Sequence, residues 1–456
     1  MNINAAIFRR YDIRGIYPEE LNEHAVEAIA RAFVRLLAER GMAGPVIVGR
    51  DVRTSSESLA HSCTRALLSA GAAVYDIGVV TTPLLHFAVG TTPDAAGGIM
   101  ITASHNPAEY NGMKFLLRGV HQLSYENGIS QMQKMTTGGT ALALPKGVEK
   151  GAVNPCDYFP AYKKFLCAHA HVQKKVKVVV DAGGGSAGKF LPAVLSCMNV
   201  EHVPLFFDAD GTFSAHPPNP LLPEAQAILS KAVQNENADF GVAFDADADR
   251  IVAADECGKI VAPDILGLLL ADALTEEGEE VIADVRVTHT LRELMREKRG
   301  NVYVSRVGTT YIKEFMQQRN ARFAFESSGH YYFREFFGAD SALLAFMHLV
   351  NIVSRSRQPL GELIEKFKKT AQSGERNFTI RNWDALAKTI RETYRDGTQS
   401  FIDGITAEYA DWWFNIRPSA TEPLVRVNIE ARTPELLRQK EKKLEETLLL
   451  HERKDI

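Results

Sequence analysis

The chain of 456 residues contains no apolar run long enough to cross a bilayer. Its most apolar later stretch, Ala342–Val353, falls short of the ~20 residues a span requires, and it carries His348 and Asn351. The opening MNINAAIFRRYDIRG lacks the apolar core of a signal peptide. Excess charge is missing too: 52 Lys and Arg against 56 Asp and Glu leave a formal net charge of −4. There is therefore no electrostatic case for a nucleic-acid partner or an anionic membrane. Cysteine is scarce and scattered (Cys63, Cys156, Cys167, Cys197, Cys257), with no CxxC. Such usage argues against a thiol-based zinc site and leads us to expect reduced thiols and a cytoplasmic setting.

What is present is ordinary soluble composition, 45% hydrophobic and 24% charged. The length exceeds one compact core and suggests roughly three or four domains. Apolar periodicity predicts helices at His24–Arg40, Ser55–Ala70 and Pro83–Val89, with strands at Val46–Val48 and Val74–Ile77. The pattern loosens around Met135–Pro145, and a second unit begins near Tyr158, with strands at Val176–Val180 and Ala238–Phe244. A third runs from about Lys259 to Thr370. Past a polar linker at Gln372–Asn377 the pattern changes to strand, helix, several strands and a final helix near Pro434–Leu450. We therefore expect four domains, at 1–150, 151–257, 258–371 and 372–456. In the first three, alternation of strand and helix implies parallel pairing, with functional loops at the C-terminal ends of strands.

Four polar loops interrupt this pattern. In GGIMITASHNPAEYNGMK (97–114), the apolar run Ile99–Ile101 breaks into Thr102-Ala103-Ser104-His105-Asn106-Pro107. A serine at the end of a strand is placed to act as nucleophile or covalent carrier, although an ordinary strand-to-turn segment has the same look. Asp245-Ala246-Asp247-Ala248-Asp249-Arg250 follows another buried-looking strand. Its unpaired carboxylates would repel by roughly 4 kcal/mol per pair in a protein-like dielectric, so they are either well solvated or share a divalent cation. Glu326-Ser327-Ser328-Gly329-His330 is a cluster of hydrogen-bonding groups after Phe323–Phe325, and Arg417-Pro418-Ser419-Ala420-Thr421-Glu422-Pro423 suits either a phosphate or a plain surface turn. The glycine-rich turn Asp181–Gly188 is open between a phosphate cradle and a tight turn; it lacks the Lys-Ser/Thr ending of a P-loop.

Taken in order, from Tyr11-Asp12-Ile13-Arg14-Gly15 through SHNP, the Asp triad and ESSGH to RPSATEP, these motifs resemble the α-D-phosphohexomutase superfamily, most closely its bacterial phosphomannomutase/phosphoglucomutase group. The resemblance covers nearly the whole chain. It implies three related mixed α/β domains and a smaller α+β C-terminal domain around a central cleft: a phosphoserine-bearing domain, a metal-binding domain, a sugar-recognition domain and a phosphate-binding domain. By that resemblance Ser104 is the phosphoserine, and Asp245, Asp247 and Asp249 hold a magnesium ion together with Ser104. His105, Lys114, Arg250 and His330 act in the transfer. Tyr11, Arg14, Arg250, Gly308, Thr309, Glu326, Ser328, His330, Arg417, Ser419 and Thr421 bind substrate.

The implied reaction interconverts hexose 1-phosphate and hexose 6-phosphate of mannose or glucose. A hexose 1,6-bisphosphate serves as intermediate and activator. The alternatives are a phosphoglucosamine mutase of the same superfamily and a magnesium-dependent sugar phosphatase. The expected partner is a small phosphosugar, with neither nucleic acid nor membrane, for a monomer or homodimer. Phe325, Thr309, Ala420 and Gly184 depart from the family's usual residues, and the first two bear on substrate preference.

Overall fold

Four β-sheets follow one another along the chain in the computed structural model, which describes residues 3–137, 151–286, 289–380, 382–419 and 424–451. The first sheet runs in the order Ile13–Ile16, Tyr110–Leu117, Gly97–Ile101, Val46–Arg50, Val74–Val79, Val153–Pro155. It thus takes its edge strand from beyond residue 150. The second is Ile260–Val261, Ile251–Ala254, Phe240–Phe244, Val176–Asp181, Val200–Leu205. The third is Asn301–Ser305, Glu280–Asp284, Phe323–Phe325, Tyr331–Phe333, Ala339–Asp340. In the fourth, Leu424–Ala431 and Trp412–Pro418 form the centre and every pairing is antiparallel.

The parallel pairing expected of the first three units is only half of what forms. Gly97–Ile101 lies parallel to Val46–Arg50 but antiparallel to the strand after it, Tyr110–Leu117. Phe240–Phe244 and Phe323–Phe325 repeat the arrangement, each parallel to an earlier strand and antiparallel to the next. The reason is chain length. A parallel return needs a crossover of a dozen or more residues, whereas the loops 102–109, 245–250 and 326–330 are too short for one. Each unit thereby presents one short polar loop at the same topological place. The three loops are SHNP, the Asp triad and ESSGH.

Packing separates the fourth unit from the others. One apolar cluster runs through all three α/β units, joining Leu85 and Met100 to Val180 and Phe244 and to Phe325 and Phe346. The fourth unit has a cluster of its own around Leu386, Ile390, Phe414 and Val425. Its contacts with the third unit include a row of polar ones: Arg432 with Glu293, Arg292 with Glu408, and Val307 N donating to Asp403. The run Ala342–Val353 lies within a buried helix, Ala342–Arg355, capped by Ser341. No helix among the described residues is long and apolar enough to cross a membrane.

Two expectations need comment here. Reduced thiols are expected throughout, but Cys167 and Cys197 form a disulfide, with Cα atoms 5.8 Å apart. The two residues lie 30 apart in sequence, near the ends of the helices Phe159–Ala168 and Leu191–Leu195; no local spacing announces such a pair. Cys63, Cys156 and Cys257 are free. Most of the loosened stretch at Met135–Pro145 lies outside the described residues.

Candidate active site

Arg53 organises the serine loop. Its side chain is fully buried and ion-paired to Asp51 at 3.1 Å. From there it donates to four loop carbonyls, those of Ser104 (2.7 Å), Asn106 (2.6 Å), Pro107 (2.6 Å) and Tyr110 (3.1 Å). Thr102 links the same Asp51 to the backbone N–H of Ser104. This scaffold holds Ser104 at φ 51°, left-handed backbone that a non-glycine residue adopts at a cost of about 1–3 kcal/mol. The result aims Ser104 Oγ at Asp245 Oδ2, 3.0 Å away, with His105 Nδ1 at 3.2 Å. Burial, with Arg250 and Arg14 nearby, holds His105 well below its ordinary pKa, so it is neutral.

The acidic loop meets this serine. Asp245, Asp247 and Asp249 are all buried, with carboxylate oxygens within 4.8 Å of one another. Lys114 reaches across from the first unit to Asp247 (2.7 Å) and Asp249 (2.6 Å), and Thr82 donates to Asp247. Burial and the two neighbouring carboxylates push the Asp245 carboxyl well above its usual range. Asp249 goes the other way: despite burial, Lys114 and His330 hold it ionised. Asp247 Oδ1 is buried with no hydrogen-bond partner among the described residues. Hard oxygen donors, one of them orphaned and one strained towards protonation, fit a small divalent cation such as magnesium. The glycine-rich turn is a tight turn that buttresses this loop. A Cβ on Gly185 would lie 2.8 Å from Ala246 Cα, and Ser186 N donates to Ala246 O.

The ESSGH loop is tied to the Asp loop by a backbone bridge between Arg250 and His330. Glu326 accepts from Gly308 N (3.1 Å) and Tyr332 OH (2.7 Å) and pairs with His330 Nδ1 (3.2 Å). Although burial and Arg250 oppose it, Asp249 and Glu326 raise His330 to a pKa of about 9, so it is an imidazolium. Ser328 Oγ lies 3.0 Å from the same ring. Tyr11 crosses from the first unit, hydrogen-bonds Val307 O at 2.6 Å, and lies flush on Gly308; a Cβ there would sit 2.3 Å from its ring. Phe325 turns away from the cleft. It is buried in the core beside Gly267 and stacked on Phe323, so its side chain does not line the cleft.

These loops line one cleft with two chambers of about 600 and 610 Å³. The lower chamber holds Ser104, Arg14, Lys114 and Asp249. The upper holds Gly308, Glu326, Ser328 and Arg417. Tyr11, His105, Arg250, Thr309 and His330 line both. One expected binding residue falls elsewhere and another is outside the described residues. Ser419 lines a separate depression with Arg10 and Phe401, and Thr421, like Ala420, lies outside the described residues. Sequence reasoning passed over Arg53 and the upper chamber's Arg286, Arg426 and Glu375. Isolated arginines carry no spacing signature; the signal available for Arg53 was Asp51-x-Arg53 directly after a buried strand.

Comparison with known proteins agrees over nearly the whole chain. Residues 5–136, 157–258 and 262–370 match the profiles of phosphoglucomutase/phosphomannomutase alpha/beta/alpha domains I, II and III, and residues 368–446 match the C-terminal domain. A protein of Xanthomonas campestris named "Phosphohexose mutases" is 36% identical over 93% of this chain and 95% of its own length. The phosphomannomutase of Salmonella montevideo is 34% identical over 94% and 95%. A crystal structure of a phosphoglucomutase/phosphomannomutase family protein from Burkholderia thailandensis superposes with a TM-score of 0.89 at 29% identity, covering 98% of this chain and 97% of that one.

Proposed function

The chain belongs to the phosphoglucomutase/phosphomannomutase family, and from that premise we infer that it is a phosphohexomutase, an intramolecular phosphotransferase that isomerises hexose 1-phosphates and hexose 6-phosphates of mannose or glucose. One observation carries the reading: a buried serine, held in strained backbone 3.0 Å from an acidic cluster, faces an arginine-lined chamber of nearly equal size. A sugar with a phosphate at each end fits such a pair of chambers in either direction.

Ser104 Oγ carries the phosphoryl group. The sugar hydroxyl oxygen forms a bond to phosphorus as the bond to Ser104 Oγ breaks, giving a 1,6-bisphosphate. After the bisphosphate turns round, the serine takes back the other phosphoryl group. Magnesium, when held by Asp245, Asp247, Asp249 and the serine phosphate, supplies positive charge against the phosphoryl oxygens. Lys114 is locked to Asp247 and Asp249 and held protonated, so it contributes charge rather than accepting a proton. Neutral His105, 3.2 Å from Ser104 Oγ, accepts protons, and cationic His330 donates them. Glu326 and Ser328 grip the sugar hydroxyls, while Arg417 holds the distal phosphate. The separate core of the fourth unit supports its closing over substrate as a body. A hexose phosphate is charged and crosses bilayers poorly, which supports a cytoplasmic setting beside its substrate; the Cys167–Cys197 bridge is the feature that speaks against a reducing compartment.

A coupled assay across mannose, glucose, glucosamine and N-acetylglucosamine 1-phosphates tests this reading. Turnover of mannose or glucose 1-phosphate is expected. Turnover of glucosamine 1-phosphate alone would favour the phosphoglucosamine mutase, and release of free phosphate without isomerisation would favour a phosphatase.

A further inference from the structure

Three units hold one short stretch of backbone. Val307 N donates to Asp403 Oδ2 of the fourth unit at 3.1 Å, Val307 O accepts from Tyr11 OH of the first at 2.6 Å, and Gly308 N donates to Glu326 Oε1 of the third at 3.1 Å. Val307 O and Gly308 N belong to the same peptide, so whatever turns that peptide moves the donor on Glu326. Gly308 takes φ +131°, and the ring of Tyr11 fills the space where a Cβ would stand. Tyr11 and Glu326 line the upper chamber. Asp403 lines neither chamber and reaches Val307 from the separate depression beside Arg10.

The fourth unit carries Asp403 stiffly. The residue stands in the turn between the paired strands Thr398–Ser400 and Ile405–Glu408. Its carbonyl accepts from Asn415 Nδ2 at 2.9 Å. The next residue, Gly404, has φ +69° and lies so close to the neighbouring strand that a Cβ would fall 2.2 Å from Ile416 O. Asn415 is buried and belongs to Trp412–Pro418, the strand that also carries Arg417. Beside Asp403, Arg306 Nε of the third unit donates to Ile402 O at 3.1 Å. The carboxylate that meets Val307 and the guanidinium assigned to phosphate thus share one strand and the turn packed on it. We propose that Asp403 is a positioning residue, which transmits the seating of the fourth unit through Val307 and Gly308 to Glu326. The proposal rests on the mutase reading above and deepens it by naming how phosphate capture in one unit prepares sugar recognition in another. A bisphosphate that turns round between two transfers needs that link, because its sugar must be let go and gripped again as its phosphate leaves and returns. The coupling is reciprocal: a sugar that sets Glu326 favours the seated fourth unit in turn.

Binding read without turnover decides it. Glucose 6-phosphate and inorganic phosphate are titrated calorimetrically, with magnesium withheld, into the full-length protein and its Asp403→Ala, Asp403→Asn and Arg292→Ala variants. Asp403→Ala should weaken glucose 6-phosphate roughly tenfold, the scale of one charge-assisted hydrogen bond, and weaken inorganic phosphate far less. Asp403→Asn keeps an oxygen for Val307 N and should recover part of the loss. Arg292→Ala removes another contact between the third and fourth units, with Glu408, and should leave both affinities unchanged. In a Glu326→Ala background the further loss from Asp403→Ala should shrink, because the peptide then has no carboxylate to set. Unchanged glucose 6-phosphate binding in Asp403→Ala would overturn the proposal. So would an equal loss of inorganic phosphate, an equal loss in Arg292→Ala, or a loss that simply adds to that of Glu326→Ala, since Asp403 would then only dock the fourth unit. No recovery in Asp403→Asn would overturn it as well, by assigning the effect to charge rather than to the bond with Val307. If Asp403→Ala does not fold, Asp403→Ser, whose oxygen stops one atom short of Val307 N, is read by the same criteria. The binding comparison stands whether or not the unaltered protein isomerises glucose 1-phosphate, so failure here is separable from failure of the mutase reading.

Discussion

The two chambers of the cleft gather opposite charges at their ends. In the lower one three carboxylates, Asp245, Asp247 and Asp249, cluster against Lys114, Arg250 and His330. In the upper one three guanidinium groups, Arg286, Arg417 and Arg426, converge on Glu375. They differ in stiffness as well. The lower chamber is buried, tied by the Arg250–His330 backbone bridge and floored by a core common to three units, whereas the upper depends on a fourth unit with a core of its own. In the proposed mechanism the phosphoserine and its metal take the rigid, acid-rich chamber, where atoms must be aligned for transfer, and the passive phosphate takes the one where binding and release alternate.

The difference breaks most visibly at the acidic loop. Asp247→Ala should cost several kcal/mol of transition-state stabilisation, about 10³-fold in kcat, and should raise the magnesium concentration needed for half-maximal rate. Turnover that persists in chelator, or an unchanged magnesium requirement in the variant, would remove the lower chamber's need for a cation.

A second effect belongs to the wall of the upper chamber. Burial, with a smaller push from Asp264, raises the Glu430 carboxyl to about 7. The folded protein therefore binds this proton more tightly than the unfolded chain does. Its stabilising effect is complete below the ordinary carboxyl range and is lost as pH rises towards 7. The loss is up to about 3 kcal/mol. Urea unfolding at about pH 5 and about pH 8 should show it, and Glu430→Gln should flatten it; an unaltered slope in that variant would place the titration elsewhere.

The smallest predicted change separates sugar from phosphate recognition. Losing one charge-assisted hydrogen bond costs about 1.5–3 kcal/mol, or roughly ten- to a hundredfold in affinity. Arg417→Ala should weaken inorganic phosphate and glucose 6-phosphate alike. Glu326→Gln should weaken the sugar phosphate and spare inorganic phosphate. Equal losses of inorganic phosphate in both variants would merge the two roles.

The lower chamber was far more legible than the upper. Ser104 and the Asp triad stand within short stretches at strand ends, so residue type and spacing both pointed to them. That three loops occupy one topological position could be suspected from the repeated strand-and-helix pattern, but the hairpins could not. Pro107 and the polar loop residues hide the strand Tyr110–Leu117 that turns back beside Gly97–Ile101. Arg286, Arg426 and Glu375 come from three distant elements and meet only in the fold. Arg53 acts through backbone carbonyls, which leave no trace in side-chain patterning. Phe325 stands out as a departure in the sequence, and only the fold shows that its side chain packs into the core beside Gly267.

The most direct test concerns Ser104. The protein is incubated with glucose 1,6-bisphosphate and magnesium, then mapped by phosphopeptide mass spectrometry, with Ser104→Ala in parallel. One acid-stable phosphoryl group on Ser104, absent from the variant along with mutase activity, is the predicted result. An acid-labile phosphate on Asp245 or Asp247, or full mutase activity in Ser104→Ala, would contradict the account.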